Sequence, residues 1–177
     1  MYEIRPEEGV PTFIVSESDQ DEFWRMTDES IEPAPNQVLK LELLEPGNGK
    51  YNLSDDKTIF DFFGDGILVS THLKNELELT LKKIGYWIDF EFKDYKYHYF
   101  NTTKVIDAID YENSGCKYLE GYLISINPII FKELDYTDNP LFRIPREDGK
   151  AIWLFASSFF TSKLDELGVK GVEFRNP

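Results

Sequence analysis

Thiol chemistry is nearly absent from this 177-residue chain: Cys116 is its single cysteine, so no internal disulfide can form. Histidine is almost as scarce. Only His72 and His98 occur, and no second histidine stands at ligand spacing from either. No run of about 18 apolar residues occurs, which excludes a helical membrane span. Basic residues are outnumbered, 19 Lys/Arg against 33 Asp/Glu. Such a surface repels nucleic acid and anionic lipid and attracts a basic partner, although solubility alone is a second sufficient reason for an acidic chain. Met1–Pro6 has neither the basic start nor the apolar stretch of a secretory signal. With the lone cysteine, this sets the expectation of a cytoplasmic protein.

What the chain has in quantity is aromatic and apolar material. Aromatic residues make up 15% and hydrophobic residues 41%, enough for a packed core despite 29% charge. The length suits one domain spanning 1–177. The acidic excess is uneven. Residues 1–60 hold fourteen Asp/Glu against five Lys/Arg, residues 61–120 eleven against seven, and residues 121–177 eight against seven. Within the most negative third, Asp19, Asp21, Glu22, Asp28, Glu29 and Glu32 crowd around Trp24.

Patterning along the chain yields more strands than helices. Thr12–Val15 reads as a short strand, and Ser18 to Glu22 offers side chains able to cap a short helix through Phe23–Met26. Pro33, Pro35 and Asn36 make a break, Val38–Leu43 alternates as a strand, and Pro46–Gly49 is a turn. After Ile67–Ser70 comes the clearest helix, where Leu73, Leu77, Leu81 and Ile84 form an apolar stripe with Lys74, Glu78, Lys82 and Lys83 outside it. Gly85 reads as its stop. Tyr86–Phe92 reads as a strand pairing with Tyr95–Phe100 across Lys93-Asp94, and Tyr118–Ile126 as one further strand. Ala151–Phe155 is a buried strand, and Ser157 or Ser158 starts a helix over Phe159, Phe160 and Leu164. The order strand, serine, helix, glycine, strand at 67–92 recurs at 152–174 with a helix about one turn shorter, an echo that a common supersecondary unit explains as well as duplication.

The run from Tyr95 to Ser114, YKYHYFNTTKVIDAIDYENS, organises the rest. Tyr95, Tyr97 and Tyr99 alternate with Lys96 and His98, the mark of a half-buried strand. Asn101, Thr102 and Thr103 follow. Then come apolar Val105, Ile106, Ala108 and Ile109 around Asp107 and Asp110, and Glu112, Asn113 and Ser114 close the run as a turn. This order resembles the central Val-Ile-Asp-Ala-Ile-Asp signature of a family of bacterial immunity proteins from polymorphic toxin systems, formerly catalogued as a domain of unknown function. Ile67–Ser70 with Leu73, Leu77 and Leu81 is similar to that family's apolar strand, Val-Ser and helix. Leu141-Phe142-Arg143-Ile144 resembles its Phe-Arg strand, and Leu164–Phe174 its closing helix and glycines. The resemblance spans roughly residues 60–177. It marks Ser70, Asn101, Asp107, Asp110, Ser114, Phe142, Arg143, Gly168, Gly171 and Phe174 as signature positions of a structural kind. It implies a non-enzymatic immunity protein, without a cofactor, that binds and neutralises a cognate toxin.

Two other functions stay open on the residues themselves. His98, Lys104, Asp107 and Asp110 would suit the metal-assisted or general acid–base work of a small hydrolase, whereas capping and solvation also explain two aspartates beside an apolar run. A generic protein-binding scaffold is the third reading. Cys116 lacks a Cys-x-x-Cys partner and reads as an idle thiol, and Gly64-Asp65-Gly66 lacks the spacing of a phosphate loop. The expected architecture is α+β: a mostly antiparallel, aromatic-rich sheet with a few helices against one face. The expected partner is a toxin, basic and nuclease-like by charge, rather than nucleic acid or a membrane. Asp19, Asp21, Glu22, Asp28, Glu29 and Glu32 would face it, with Trp24 as an aromatic anchor. The opposing expectation makes the first third a soluble flank and places binding around Lys96 and His98.

Overall fold

The computed structural model describes residues 1–62, 66–119, 122–136, 138–145 and 151–175, so Gly64 and Asp65 lie outside the described residues. The first third forms β1 (Tyr2–Pro6), β2 (Thr12–Val15), α1 (Gln20–Glu29) and β3 (Val38–Glu45). The middle forms β4 (Asp61–Phe62), β5 (Ile67–Ser70), α2 (Thr71–Leu81), β6 (Gly85–Phe92) and β7 (Tyr95–Thr102). The last third forms β8 (Cys116–Leu119), β9 (Tyr122–Ile126), β10 (Leu141–Pro145), β11 (Ala151–Ala156), α3 (Ser158–Leu167) and β12 (Val172–Arg175). The class is α+β. Where one sheet was expected there are two large sheets and a two-stranded ribbon.

The larger sheet runs β4-β2-β3-β6-β7-β5. Its two ends meet: Phe60, entering β4, donates its N–H to Leu68 of β5 at 2.9 Å, so the sheet curls back on itself toward a barrel. The two-residue strand period then sorts the side chains. Leu68, Ile88, Phe90, Tyr97 and Tyr99 turn inward onto Phe13, Phe23 and Phe60, while Ile67, Val69 and Phe100 turn outward beneath α2. The tyrosine strand is therefore covered on both faces rather than half-buried. Tyr97 and Tyr99 are each 1% exposed, and His98 on the opposite side only 6%.

Helix α2 forms where the leucine stripe predicts. The Ser70 hydroxyl accepts the Leu73 N–H at 3.2 Å and donates to the Asp56 carbonyl at 2.6 Å, which satisfies one of the free donors of the first turn. Leu73, Leu77 and Leu81 are fully buried. The helix ends before Gly85, with Lys82 as its right-handed C-cap, so Gly85 is not the stop. It opens β6 instead, where any Cβ would strike the Asn101 carbonyl.

The second sheet runs β10-β11-β1-β12. Leu141, Leu154 and Ala156 join the apolar cluster of α2 and α3, while Phe142, Ile144 and Phe155 face a third cluster with Ala108 and Ile109. β1 lies between β11 and β12, antiparallel to both. The first third is thus part of both sheets rather than a flank beside them.

The echo has a structural counterpart. β5 and β6 are both antiparallel to β7 between them, just as β11 and β12 are to β1, so each unit is a parallel pair split by a third strand. Both helices start on a serine, Ser157 accepting the Phe160 N–H at 3.2 Å. They differ by one residue, 11 against 10, not by a turn. Two local expectations change. Tyr118–Ile126 is a hairpin, β8–β9, not one strand. Asp19 stands at the N-cap of α1, but its side chain makes no capping bond there. Phe159 lies in α3 as expected, on its exposed side at 52%.

Candidate functional site

Helix α1 carries the acidic residues singled out above. Phe23, Met26 and Thr27 form its buried side, and the Tyr86 hydroxyl donates to the Met26 carbonyl at 2.7 Å, holding the C-terminal end of the helix. Asp21, Trp24 and Asp28, at i, i+3 and i+7, share the opposite side and are exposed, Trp24 by 42%. Glu32 is exposed beyond the helix end. Two others serve local structure. Asp19 accepts the Lys40 N–H of β3 at 2.7 Å. Glu22 accepts two bonds from the Arg25 guanidinium, at 2.6 and 2.9 Å, and one from Gln37 at 2.7 Å. These bonds, Arg25 foremost, hold its carboxyl down to about 2. The Glu29 side chain lies outside the described residues. Asp21 complements the positive helix start, but Asp28 sits in the last turn, where the dipole disfavours an anion. It has no bonded partner among the described residues, so nothing within the fold accounts for its charge.

The signature residues form a separate, internal network. Asn101 is fully buried. Its amide donates to the Tyr86 hydroxyl at 2.7 Å, and its carbonyl accepts from the Arg143 guanidinium at 2.7 Å. Signature and Phe-Arg strand, 42 residues apart, are thereby joined across the two large sheets. The Arg143 backbone continues the join, with its N–H to the Lys104 carbonyl at 2.8 Å and its carbonyl to the Ile106 N–H at 2.9 Å. Phe142 is fully buried and stacks on Tyr136 and Phe155. Asp110 accepts the Asn113 N–H and side-chain amide, and these bonds lower its carboxyl below the ordinary range. Ser114 donates to the Asp110 carbonyl at 2.6 Å and accepts the Ile130 N–H at 2.9 Å. Asp107 pairs with Lys132 at 2.6 Å on the surface. Gly168 is the left-handed C-cap of α3 at φ 68°. At Gly171, φ is 80° and a Cβ would strike the Ile59 carbonyl. Phe174 packs edge-to-face on Tyr2 at 6.4 Å.

His98 belongs to a third group, which sequence reasoning missed. Its Nδ1 lies 2.6 Å from Asp89 Oδ1 and its Nε2 lies 2.9 Å from the Thr71 hydroxyl. Lys74 Nζ reaches the same Asp89 oxygen at 2.9 Å. The carboxylate makes Nδ1 the donor, so Nε2 accepts from Thr71. His98, Asp107 and Asp110 share no bonded partner among the described residues, and the hydrolase constellation is not assembled. Nor is His98 a surface group beside Lys96, because α2 covers it.

Burial pushes the His98 imidazole below its ordinary 6.5, Lys74 and Lys96 act in the same sense, and Asp89 opposes them. Burial would raise Asp89, but its bonds from Lys74 and His98 prevail and hold it below 3.8. Both groups bind protons more readily in the unfolded chain, so stability falls with falling pH, first through His98 and then through Asp89. The urea midpoint is expected to drop between about pH 7.5 and about pH 5.5, and less in His98→Gln. Equal drops in the two proteins would remove His98 as the cause.

The decisive comparison concerns the second half of the chain. A family model described as the immunity protein family (Imm11) matches residues 84–176, more than half of the sequence. The chain belongs to this immunity protein family. The match contains β6, β7, the Asn101–Ser114 signature, Phe142-Arg143 and both closing glycines. Ser70 and α1 lie outside it. No curated protein matches the chain.

Proposed function

We propose that this chain is one immunity domain, spanning 1–177, that binds and neutralises a cognate toxin of a polymorphic toxin system, without catalysis, metal or cofactor. Membership of the immunity protein family carries the reading. The internal bonding of the signature supports it: Asn101 and Arg143 join the two sheets, and Asp110 and Ser114 shape a turn. These residues build a scaffold and leave recognition to the surface. No helix among the described residues is long and apolar enough to cross a membrane. A cytoplasmic site of action is part of the proposal.

The toxin-facing patch we propose is the outer side of α1, Asp21, Trp24 and Asp28, extended by Glu32, with Glu29 proposed from its charge alone. Asp19 and Glu22, proposed with them from charge, contribute field rather than free groups. A negative patch with one large aromatic suits a basic partner, such as a nuclease, through fast charge-steered encounter and a buried ring. Asp21→Lys with Asp28→Lys is expected to slow association with the toxin domain by about tenfold or more and to flatten its salt dependence. Unchanged rates in stopped flow would move the charge-steered surface elsewhere.

A further inference from the structure

The arm that follows the signature gathers several exposed apolar side chains on one element. Its two sides stay bonded from root to tip. Lys132 N–H reaches the Ala108 carbonyl at 2.8 Å, Asp110 N–H the Ile130 carbonyl at 2.8 Å, and Gly115 N–H the Pro128 carbonyl at 2.9 Å, before β8 and β9 pair. The root is fixed, since Ala108 and Ile109 are fully buried against Phe142 and Phe155. The far half is a two-stranded sheet that pairs with no other strand among the described residues. There Tyr118 is 55%, Leu119 62% and Ile124 58% exposed, and Ile130 lies nearby at 40%. A lone ribbon is marginal in water, and open edges with large apolar residues invite association. Exposed apolar residues gathered on one element mark an interaction surface.

Charge selects the occupant. Between residues 107 and 138 seven Asp/Glu stand against two lysines, and one of those, Lys132, is already paired with Asp107. The apolar side chains of β8 and β9 thus lie in an acidic stretch of the chain. A second copy would bring the same stretch against itself on a chain of net charge −14, which opposes self-association. A partner with an apolar groove and a basic rim fits both features. We propose that the β8–β9 arm docks into such a groove on the cognate toxin, with Tyr118, Leu119 and Ile124 as its buried contacts. The proposal rests on the immunity reading and separates two tasks: α1 steers the encounter, and the arm sets the lifetime of the complex.

The test is surface plasmon resonance with the purified product of the adjacent gene as the toxin. The variant Tyr118→Ser/Leu119→Ser/Ile124→Ser is compared with Leu79→Ser, which removes a still more exposed apolar side chain from α2. Tyr118→Phe/Leu119→Met/Ile124→Val keeps the apolar contacts, and urea midpoints report folding in each case. The arm variant is expected to dissociate about thirtyfold faster or more, with association nearly unchanged, while the control and conservative variants behave as wild type. Wild-type affinity in a folded arm variant overturns the arm as docking element and leaves the immunity reading standing. A wild-type dimer that the arm variant abolishes, with toxin binding intact, assigns the arm to a second copy and also overturns the proposal. A folded wild-type chain that binds no toxin overturns both.

Discussion

Leu77→Ala is expected to lower the unfolding free energy by about 2–5 kcal/mol, the range for truncating a leucine in a packed core. The residue is 0% exposed and sits mid-way along the α2 stripe, between Leu73 and Leu81. Its cluster joins the outer face of the curled sheet to α3 and to Leu141, Leu154 and Ala156 of the second sheet. A cavity there loosens three layers at once, because packed neighbours relax only partly into it. Two residues on, Leu79 is 77% exposed, and Leu79→Ala should change stability by less than about 0.5 kcal/mol. Urea unfolding of both variants reads the difference. Equal midpoints would mean that α2 does not present this face to the sheets.

A second large effect is expected at Asn101. Its amide and carbonyl bridge the Tyr86 hydroxyl and the Arg143 guanidinium at full burial. Asn101→Ala removes the donor to the Tyr86 hydroxyl, which keeps only its bond to Met26, and one acceptor of the Arg143 guanidinium, which together cost about 2–4 kcal/mol. Tyr86→Phe removes the hydroxyl with both its bonds, the one it donates to Met26 and the one it accepts from Asn101, and should cost about 1–2 kcal/mol. The two changes share a bond, so the double variant should lose at least about 0.5 kcal/mol less than the two separate losses combined. Strict additivity in urea midpoints would show that the bridge contributes nothing.

The α2 stripe and the β6–β7 hairpin were legible because both rest on local periodicity. The hairpin held more than was drawn from it. A two-residue turn at Lys93-Asp94 sets Phe92 opposite Tyr95, and the same register sets Asp89 opposite His98 and Tyr86 opposite Asn101. Both polar groups missed from the sequence follow from that pairing once it is extended along the strands. Other features were not accessible to local pattern. β1 reaches Phe174 and Phe155 across almost the whole chain. The contact that curls the large sheet runs through Phe60, in a stretch without clear period. Asn101 and Arg143 each looked like an isolated signature position, since nothing in their spacing shows that a side-chain bond joins them. The acidic helix was legible as charge, but only the backbone placed Asp21, Trp24 and Asp28 on one face and tied Asp19 and Glu22 into local bonds.

The most direct measurement of the account is neutralisation itself. The product of the adjacent gene, assayed as the toxin, is titrated with the purified chain while its activity and complex formation are followed together. The expected result is a stoichiometric complex on size exclusion and loss of toxin activity as that complex saturates. A folded chain that leaves the toxin fully active at saturating excess, or forms no complex with it, contradicts the immunity function proposed here.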